Sequence, residues 1–296
     1  MSTSYGIAPP GYRLPAATHL GKVVLQVADL DRSIDYYQRI VGFSVLAHEG
    51  TAASLGPASG PAILELRERK GARAVPRRGL LGLYHFAILL PSRAGLAQFV
   101  RHLAAEGARA GMSDHLVSEA VYLTDPDGLG IEVYADRPRD AWQSADRQLV
   151  MATNPLDVAD LMASADGGEW AGLPEGTVIG HVHLFVGSIE SAARFYHEGL
   201  GLDKIVWNYP GALFLSAGGY HHHLGTNTWA AGAPPAGDDD ARLLEWEVIV
   251  PTADDAVRAL DSIAGQGGTV ERAPAGGLAR DPWGTAVRLR TEGRKP

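Results

Sequence analysis

The chain has 296 residues, enough for two ordinary domains, and its 46% hydrophobic and 20% charged residues are typical of a globular protein. A formal net charge of −8 disfavours nucleic acid as a partner, because the net field of the protein would repel a phosphate backbone. The absence of cysteine excludes disulfides and thiolate metal sites, so any metal must be held by His, Asp, Glu or water.

The N-terminal segment, residues 1–17, predicts an irregular arm, because prolines and glycines interrupt it. It lacks a charged segment followed by an apolar one, and no run in the chain approaches 18 apolar residues. We therefore expect a cytoplasmic protein without membrane association.

Two modules are predicted in the first half of the chain. Module 1, residues 18–70, contains "VVLQVADLDRSIDYYQRIVGF", which has a strand-like apolar run, a turn, apolar residues at helical spacing and a closing glycine. Module 2, residues 82–137, contains "HFAILLPSRAGLAQFVRHLAAEG" and ends on "DPDGLGIEVYAD", a turn followed by a strand. Each module predicts a strand, a helix and two or three further strands.

The second half of the chain repeats this organisation. After a polar connector, residues 138–177, "VHLFVGSIESAARFYHEGLGL" matches the start of module 1 without a gap and opens module 3, residues 178–230. Module 4, residues 243–292, repeats module 2. The chain is therefore two halves, 18–137 and 178–292, and the connector, with one short helical stretch, is expected to pack on the surface without a part in the chemistry.

Three consecutive histidines, His221, His222 and His223, lie near the end of module 3. They could form a metal site, provide a catalytic acid, or belong to a solvated strand. We place them on the last strand of the module, where alternation would direct His221 and His223 to the face opposite His222.

The repeated modules, with "VADLDRSIDYYQRIVGF" and "DPDGLGIEVY", resemble the vicinal oxygen chelate superfamily, which includes glyoxalase I, bleomycin resistance proteins and type I extradiol dioxygenases. "GLYHFAILLP", "IGHVHLFV" and "SAGGYHHHLGTNTW" resemble more narrowly the catechol 2,3-dioxygenases of the Bacillus type. The resemblance covers nearly the whole chain. It implies an α+β fold of four βαβββ modules forming two cups, with a metal held on the first and last strands of paired modules.

The residues at these ligand positions differ between modules, so the pairing of modules decides which set is formed. Pairing module 1 with 2 would place a lysine beside the metal, and pairing 3 with 4 an arginine, and either cation would repel it. Pairing 2 with 3 unites two histidines and a carboxylate, a set that suits non-haem Fe(II). We expect this inner pairing, with modules 1 and 4 forming a metal-free cup. In chain order the positions hold Lys22, Glu65, His85, Glu132, His181, Glu245 and Arg288.

The resemblance thus implies His85, His181 and Glu132 as ligands of Fe(II), with Mn(II) left open. Because residues 181 and 183 share a face of one strand, His183 stays open as a ligand or a neighbour of the ligands. Whether His223 contacts the metal or the substrate also stays open.

The resemblance further implies roles for three residues that do not bind the metal. His222 corresponds to the histidine that acts as acid or base, and an imidazole near its ordinary pKa of about 6.5 can do both at neutral pH. Tyr122, ten residues before Glu132, would hydrogen-bond a substrate oxygen, and His115 would stabilise anionic character on substrate or superoxide. Four aromatic residues are candidates for the substrate wall or for the core, namely Tyr84, Phe86, Trp229 and Trp246.

The function implied is that of an extradiol ring-cleaving dioxygenase in the breakdown of aromatic compounds, with a small aromatic diol and O₂ as its partners. One alternative is a glyoxalase-like lyase or isomerase with a redox-inert metal, for which His222 could be a fourth ligand. Another is a metal-free binding protein of the bleomycin resistance type. Cup-forming modules often associate, which leaves a homo-oligomer open.

Overall fold

Two curled mixed sheets with helices packed on them form the fold of the computed structural model, which describes residues 5–165 and 167–292. An eight-stranded outer sheet joins module 1 to module 4, and a nine-stranded inner sheet joins module 2 to module 3. The predicted α+β class with two cups is confirmed, and so is the pairing of the inner modules. Residues 1–4 of the expected arm lie outside the described residues.

The first half of the chain forms eight strands, two α-helices and one π-helical turn. Module 1 comprises β1 His19–Val27, α1 Leu30–Tyr36, a π-helical turn Tyr37–Val41, β2 Ser44–Glu49, β3 Ala52–Gly56 and β4 Leu64–Glu68. Module 2 comprises β5 Gly82–Leu89, α2 Arg93–Ala105, β6 Gly111–Asp114, β7 Ser118–Thr124 and β8 Gly130–Asp136.

The remaining elements belong to the connector and the second half. The connector contains a 3₁₀ turn Arg139–Ala141, β9 Ser144–Ala145, β10 Gln148–Leu149, β11 Asn154–Pro155 and α3 Val158–Ala163. Module 3 comprises β12 Val178–Phe185, α4 Ile189–Ala192, a π-helical turn Ala193–Gly199, β13 Asp203–Val206, β14 Ala212–Ser216 and β15 Leu224–Asn227. Module 4 comprises β16 Arg242–Val250, α5 Ala253–Gly265, β17 Thr269–Ala273, β18 Gly276–Arg280 and β19 Ala286–Thr291.

The strand order brings the predicted ligand positions to the centre of each sheet. The outer sheet has the order β17-β18-β19-β16-β1-β4-β3-β2, and the inner sheet β11-β6-β7-β8-β5-β12-β15-β14-β13. In each sheet the first strands of two modules pair antiparallel, β1 with β16 and β5 with β12. Each of these strands also pairs in parallel with the last strand of its own module. First and last strands of both modules therefore lie side by side.

Strand alternation separates a shared apolar core from the two cups. Along β5, Phe86 and Ile88 are fully buried in the core, and along β12 Val182 and Leu184 join them. Burying each such side chain contributes about 1.5–3 kcal/mol, so the register of these strands is strongly fixed. The intervening residues, His85 among them, must then face the cup.

Each module's helix begins at a side-chain cap. Asp29, Ser92, Ser188 and Thr252 each accept a hydrogen bond from the backbone N–H three residues later. Such a cap satisfies a backbone donor that the helix itself leaves without a partner. No helix among the described residues is long and apolar enough to cross a membrane.

A tyrosine–aspartate hydrogen bond joins the two modules within each half. Tyr37 donates to Asp125 Oδ2 at 3.1 Å, and Tyr196 donates to Asp281 Oδ2 at 2.9 Å. The aspartates lie in the equivalent "DPDG" and "DPWG" turns. Burial raises the pKa of Asp125 to about 7 and that of Asp281 to about 6. The helical segment of one module thus anchors the last turn of the next.

The connector lies mostly at the surface and contains one short helix, as expected, but it also contributes a strand and buried side chains to the fold. Its strand β11 extends the inner sheet by pairing with β6, Asn154 opposite Asp114. Leu149 and Gln148 are buried, and Gln148 Oε1 accepts hydrogen bonds from the backbone N–H groups of Trp207 and Asn208. Strands of two residues are too short to produce a periodic pattern, which is why the sequence did not predict them.

Candidate metal centre

Two histidines and one glutamate converge in the cup of the inner sheet. His85 lies on β5, Glu132 on β8 and His181 on β12, and their ligand atoms lie within 4.8 Å of one another. Glu132 Oε2 is 3.0 Å from His85 Nε2 and 3.2 Å from His181 Nε2. All three side chains are buried. The structure thus brings together the three residues that the sequence predicted as ligands.

Strand register explains why these side chains meet. Ala87 is opposite Glu132 on one side and opposite His181 on the other, so Glu132, Ala87 and His181 form one row across three strands. His85 lies two residues before Ala87 and therefore on the same face. The methyl group of Ala87 leaves the space between the two ends of the row open to a shared ion.

The protonation states of the three groups are those that a divalent metal requires. Burial lowers the pKa of His85 and of His181 below the ordinary value. Although burial opposes it, the two imidazoles hold the pKa of Glu132 well below its usual range. Neutral imidazoles and an ionised carboxylate bind a metal without first losing a proton.

The hydrogen bonding of the site also fits a metal ion. His85 Nε2 is buried and, although close to Glu132, it has no hydrogen bond of acceptable geometry among the described residues. A buried nitrogen without a partner costs free energy, which coordination would offset. Two histidines and one carboxylate on one face are the ligand set of non-haem Fe(II) sites, with positions left open for other ligands.

A cavity of about 640 Å³ opens onto this centre, within the size range of small-molecule sites. Tyr84 and Trp229 line it, whereas Phe86 and Trp246 lie in the core. All six residues predicted from the sequence as ligands or as catalytic residues border the same cavity, namely His85, His115, Tyr122, Glu132, His181 and His222.

His115 and Tyr122 form a hydrogen-bonded pair in the cavity wall. The backbone oxygen of Ala152 can only accept, so His115 Nδ1 donates to it at 2.6 Å. In neutral His115 the other nitrogen, Nε2, then accepts from the Tyr122 hydroxyl, also at 2.6 Å. Tyr122 is opposite Glu132 in the strand register and extends the ligand row by one residue. Burial raises the pKa of Tyr122 well above its ordinary value, which keeps its hydroxyl protonated.

The histidine run forms a buried turn before β15, so the prediction of a strand was wrong. Gly218 and Gly219, with φ of 63° and 67°, end β14 in a left-handed turn, and this removes the expected alternation. His221 therefore does not point away from His222, because their Nδ1 atoms are 2.7 Å apart.

Each histidine of the run has a different environment. The ring of His222 lies 4.1 Å from that of His181, centroid to centroid, and borders the cavity. Burial and the neighbouring His181 hold the pKa of His222 well below its ordinary value, so the expectation of a pKa near 6.5 was wrong. His221 is fully buried behind it. His223 is not among the residues that line the cavity, and its Nδ1 accepts a hydrogen bond from the Ala217 backbone, which closes the turn.

His183 lines the cavity but does not belong to the three-residue cluster. Its Nε2 accepts a hydrogen bond of 3.0 Å from the Asn227 amide, whose oxygen accepts from the Trp229 backbone N–H. The missing side chain of Gly225 gives the His183 ring its space, since a Cβ there would be 2.8 Å from the ring. His183 is therefore a neighbour of the proposed ligands whose Nε2 is already engaged.

The sequence did not indicate several residues of the cavity wall. Met151 and Thr153 come from the connector, and Tyr209 and Phe214 from the β13–β14 hairpin. Arg78, from the segment between modules 1 and 2, also borders the cavity. β14 is apolar over four of its five residues, so its pattern does not single out Phe214, and the other residues lie in segments without periodicity.

The outer cup has the same strand arrangement and contains ion pairs. Lys22 pairs with Glu65, and Arg288 forms two hydrogen bonds with Glu245, at 2.7 and 2.6 Å. Within residues 5–165 and 167–292, the one group of three or more potential ligands that meets at a single point is that of the inner cup.

Comparison with known proteins places these observations in a family. The model of the glyoxalase/bleomycin resistance protein/dioxygenase superfamily matches residues 19–133 and 178–289, so it covers all four modules. The catechol-2,3-dioxygenase of Bacillus subtilis (strain 168) is 41% identical over 270 residues, which are 90% of this chain and 94% of that protein.

Solved structures share the fold at much lower identity. A candidate dioxygenase of Bacillus subtilis subsp. subtilis str. 168 superimposes with a TM-score of 0.63 at 12% identity, over 95% of this chain and 86% of the other. Glyoxalase I of Zea mays gives a TM-score of 0.56 at 19% identity, over 93% and 92% of the two chains. At these identities the similarity shows the fold alone.

Proposed function

The chain belongs to the glyoxalase/bleomycin resistance protein/dioxygenase superfamily, and on that premise we propose that it is an extradiol ring-cleaving dioxygenase. It would insert O₂ into catechol or a substituted catechol at a non-haem Fe(II). The observation that carries the proposal is the convergence of His85, Glu132 and His181 at the floor of a cavity whose walls hold His222, His115 and Tyr122. The relative named as a catechol-2,3-dioxygenase supports the same reaction class.

His85, Glu132 and His181 would hold Fe(II), which when bound would supply the redox chemistry between the diol and O₂. All three side chains come from one face of the inner sheet, the face onto which the cavity opens. Iron is proposed over Mn(II) on the ligand set alone, so the metal content of the purified protein decides between them.

The other residues of the cavity would handle protons and the ring. His222 would take a proton from a diol hydroxyl and return it to the product. Tyr122 donates its own proton to His115, so its oxygen keeps lone pairs that can accept from the second hydroxyl. Tyr84, Phe214 and Trp229 would enclose the aromatic ring and exclude water. Catechol, C₆H₆O₂, and O₂ together give a muconic semialdehyde, C₆H₆O₄, with both oxygen atoms retained.

The proposal is tested by loading the protein with Fe(II) without air and then measuring O₂ uptake and the yellow product from catechol. We expect turnover by the wild type, and loss of both iron and turnover in His85→Ala. Arg288→Ala, at the position of the outer cup equivalent to Glu132, is the matched control and should keep iron and turnover. A folded wild type that binds no iron, or binds iron and leaves catechol intact, would refute the proposal.

A glyoxalase-like lyase or isomerase is the second candidate, because His222 lies close enough to His181 to serve as a fourth ligand. It predicts activity with a redox-inert metal such as Zn²⁺ and no consumption of O₂. His222→Gln separates the two functions: a dioxygenase keeps its iron and loses turnover, whereas the lyase also loses metal affinity.

A further inference from the structure

A chain of hydrogen bonds leads from His222 away from the cavity. His222 Nδ1 lies 2.7 Å from His221 Nδ1, and His221 Nε2 lies 2.9 Å from Asp136 Oδ1. The His221 side chain is fully buried, and that of Asp136 is 26% exposed. Asp136 is the last residue of β8, the strand that carries Glu132. One end of this series of hydrogen bonds is therefore fixed on the strand that carries a proposed metal ligand.

The carboxylate of Asp136, at the end of this series of hydrogen bonds, determines which histidine nitrogens carry protons. An ionised carboxylate can only accept, so His221 Nε2 must donate to Asp136. In neutral His221 the other nitrogen, Nδ1, then has no proton and must accept. His222 Nδ1 is its partner and must donate. Neutral His222 then has no proton on Nε2, the one nitrogen that remains to face the cavity.

We propose that Asp136 and His221 are positioning residues that fix the Nδ1–H tautomer of His222, so that its Nε2 presents a lone pair to the substrate hydroxyl. This rests on the proposed function, in which His222 accepts a proton. In that step the substrate O–H bond breaks and an Nε2–H bond forms. The resulting cation keeps its hydrogen bond to His221, and the negative charge of Asp136 lies at the far side of that ring.

The opposite tautomer would disable the step. Neutral His222 with its proton on Nε2 would present a donor to the substrate, and its Nδ1 lone pair would face the buried His221. Without His221 nothing on the described chain enforces the first tautomer. The arrangement therefore matters for the rate of proton transfer more than for binding of the ring.

The tautomers are measured directly by long-range ¹⁵N–¹H correlation spectra of the full chain with ¹⁵N-labelled histidine, with and without Zn²⁺, because Zn²⁺ bound by His222 Nε2 would itself place the proton on Nδ1. We expect His222 with its proton on Nδ1 and His221 with its proton on Nε2. Spectra of His222→Gln and His221→Gln assign the signals. A wild type in which His222 carries its proton on Nε2 overturns the proposal.

Kinetics provide the second test. Asp136→Ala and His221→Phe should each lower kcat for catechol about 10- to 100-fold, the usual effect of removing a residue that orients a catalytic group, while KM changes less than about 3-fold. His19→Gln, at an exposed histidine of β1 outside the cavity wall, is the control and should keep kcat. Thermal unfolding of all three variants verifies that they fold.

The outcomes separate this proposal from the proposed function. If iron-loaded wild type leaves catechol intact but shows the expected tautomers, the dioxygenase function fails and the assignment of Asp136 and His221 as tautomer-fixing residues stands. If catechol is cleaved and Asp136→Ala keeps full kcat, the positioning role fails and the dioxygenase function stands.

Discussion

The inner and outer cups are built from equivalent strands, and one row of residues shows how they differ. In the inner cup the row is Glu132, Ala87 and His181. At the positions of Glu132 and Ala87 the outer cup holds Arg288 and Glu247, which are likewise register partners. Glu247 is buried and bound by Arg290, and Arg288 binds Glu245. The small residue at the centre of the inner row leaves room for an ion, whereas the glutamate at the centre of the outer row is held by Arg290.

This difference also shows what the outer ion pairs do. Exposed pairs contribute only about 0–1 kcal/mol each, so they add little stability of their own. Their effect is to neutralise carboxylates that would otherwise be buried without a partner, which costs several times more. The outer cup is therefore satisfied without a metal, and the inner cup contains a histidine nitrogen that lacks a partner among the described residues.

The largest expected effect is on metal binding, and it comes from replacing His181 by lysine, the residue at the equivalent position of the outer cup. His181→Lys should place an ammonium beside Glu132, where it repels a divalent ion, and lower metal affinity at least about 100-fold. Metal content after desalting measures it. The converse change, Lys22→His, should create no metal site, because Arg288 and Glu245 still occupy the outer cup. Retention of metal by folded His181→Lys would contradict the account.

Filling the gap in the row should have a smaller effect. Ala87→Leu would place its side chain between Glu132 and His181, and we expect metal affinity to fall about 10- to 100-fold. Ala87→Ser, which adds a single oxygen atom, is the control and should stay close to the wild type. Titration with Fe(II) without air compares the three proteins, and equal affinity in Ala87→Leu would show that the gap is irrelevant.

Removal of the hydroxyl next to the inner row should reduce the rate and leave the metal in place. Tyr122→Phe breaks the bond to His115 and removes the acceptor for the second diol hydroxyl. One such hydrogen bond corresponds to about 10-fold in kcat. Iron content, measured in parallel, should equal that of the wild type. If Tyr122→Phe loses iron and keeps kcat per bound iron, Tyr122 positions the metal ligands and does not act on the substrate.

The last prediction concerns stability instead of metal binding or rate, and it compares the two halves of the chain. An unfolded aspartate has a pKa near 3.8, but burial raises that of folded Asp125 to about 7. The native state therefore holds an extra proton between these values, and its stability falls as pH rises from about 4 through 7. Asp125→Asn should remove this dependence, as measured by chemical denaturation at pH 5 and 8.

Asp281→Asn is the matched variant in the second half. The pKa of Asp281 in the folded protein is about 6. The loss of stability with rising pH that is caused by Asp281 should therefore end at a lower pH than the loss caused by Asp125. Equal pH dependence in the wild type and both variants would show that neither buried carboxyl is linked to folding.

The repeat predicted the modules and their pairing, and the family resemblance indicated the six residues expected to bind the metal or act on the substrate. Equivalent positions such as Glu132 and Arg288 could be compared across modules, and the sign of their charges selected the pairing of modules. The repeat could not predict the turn at Gly218, because a single pair of glycines redirects the chain without changing its apolar pattern. Nor could it predict the cavity-lining part of the connector, such as Met151, which has no counterpart in another module.

Assembly across the halves has a consequence for how the chain can be divided. Each sheet takes one module from each half, with β1 bonded to β16 and β5 to β12. Cleavage between residues 138 and 177 would therefore give two fragments, neither of which contains both modules of a cup. Any activity regained on mixing them would report heterodimeric complementation, and it would depend on fragment concentration as a bimolecular association does.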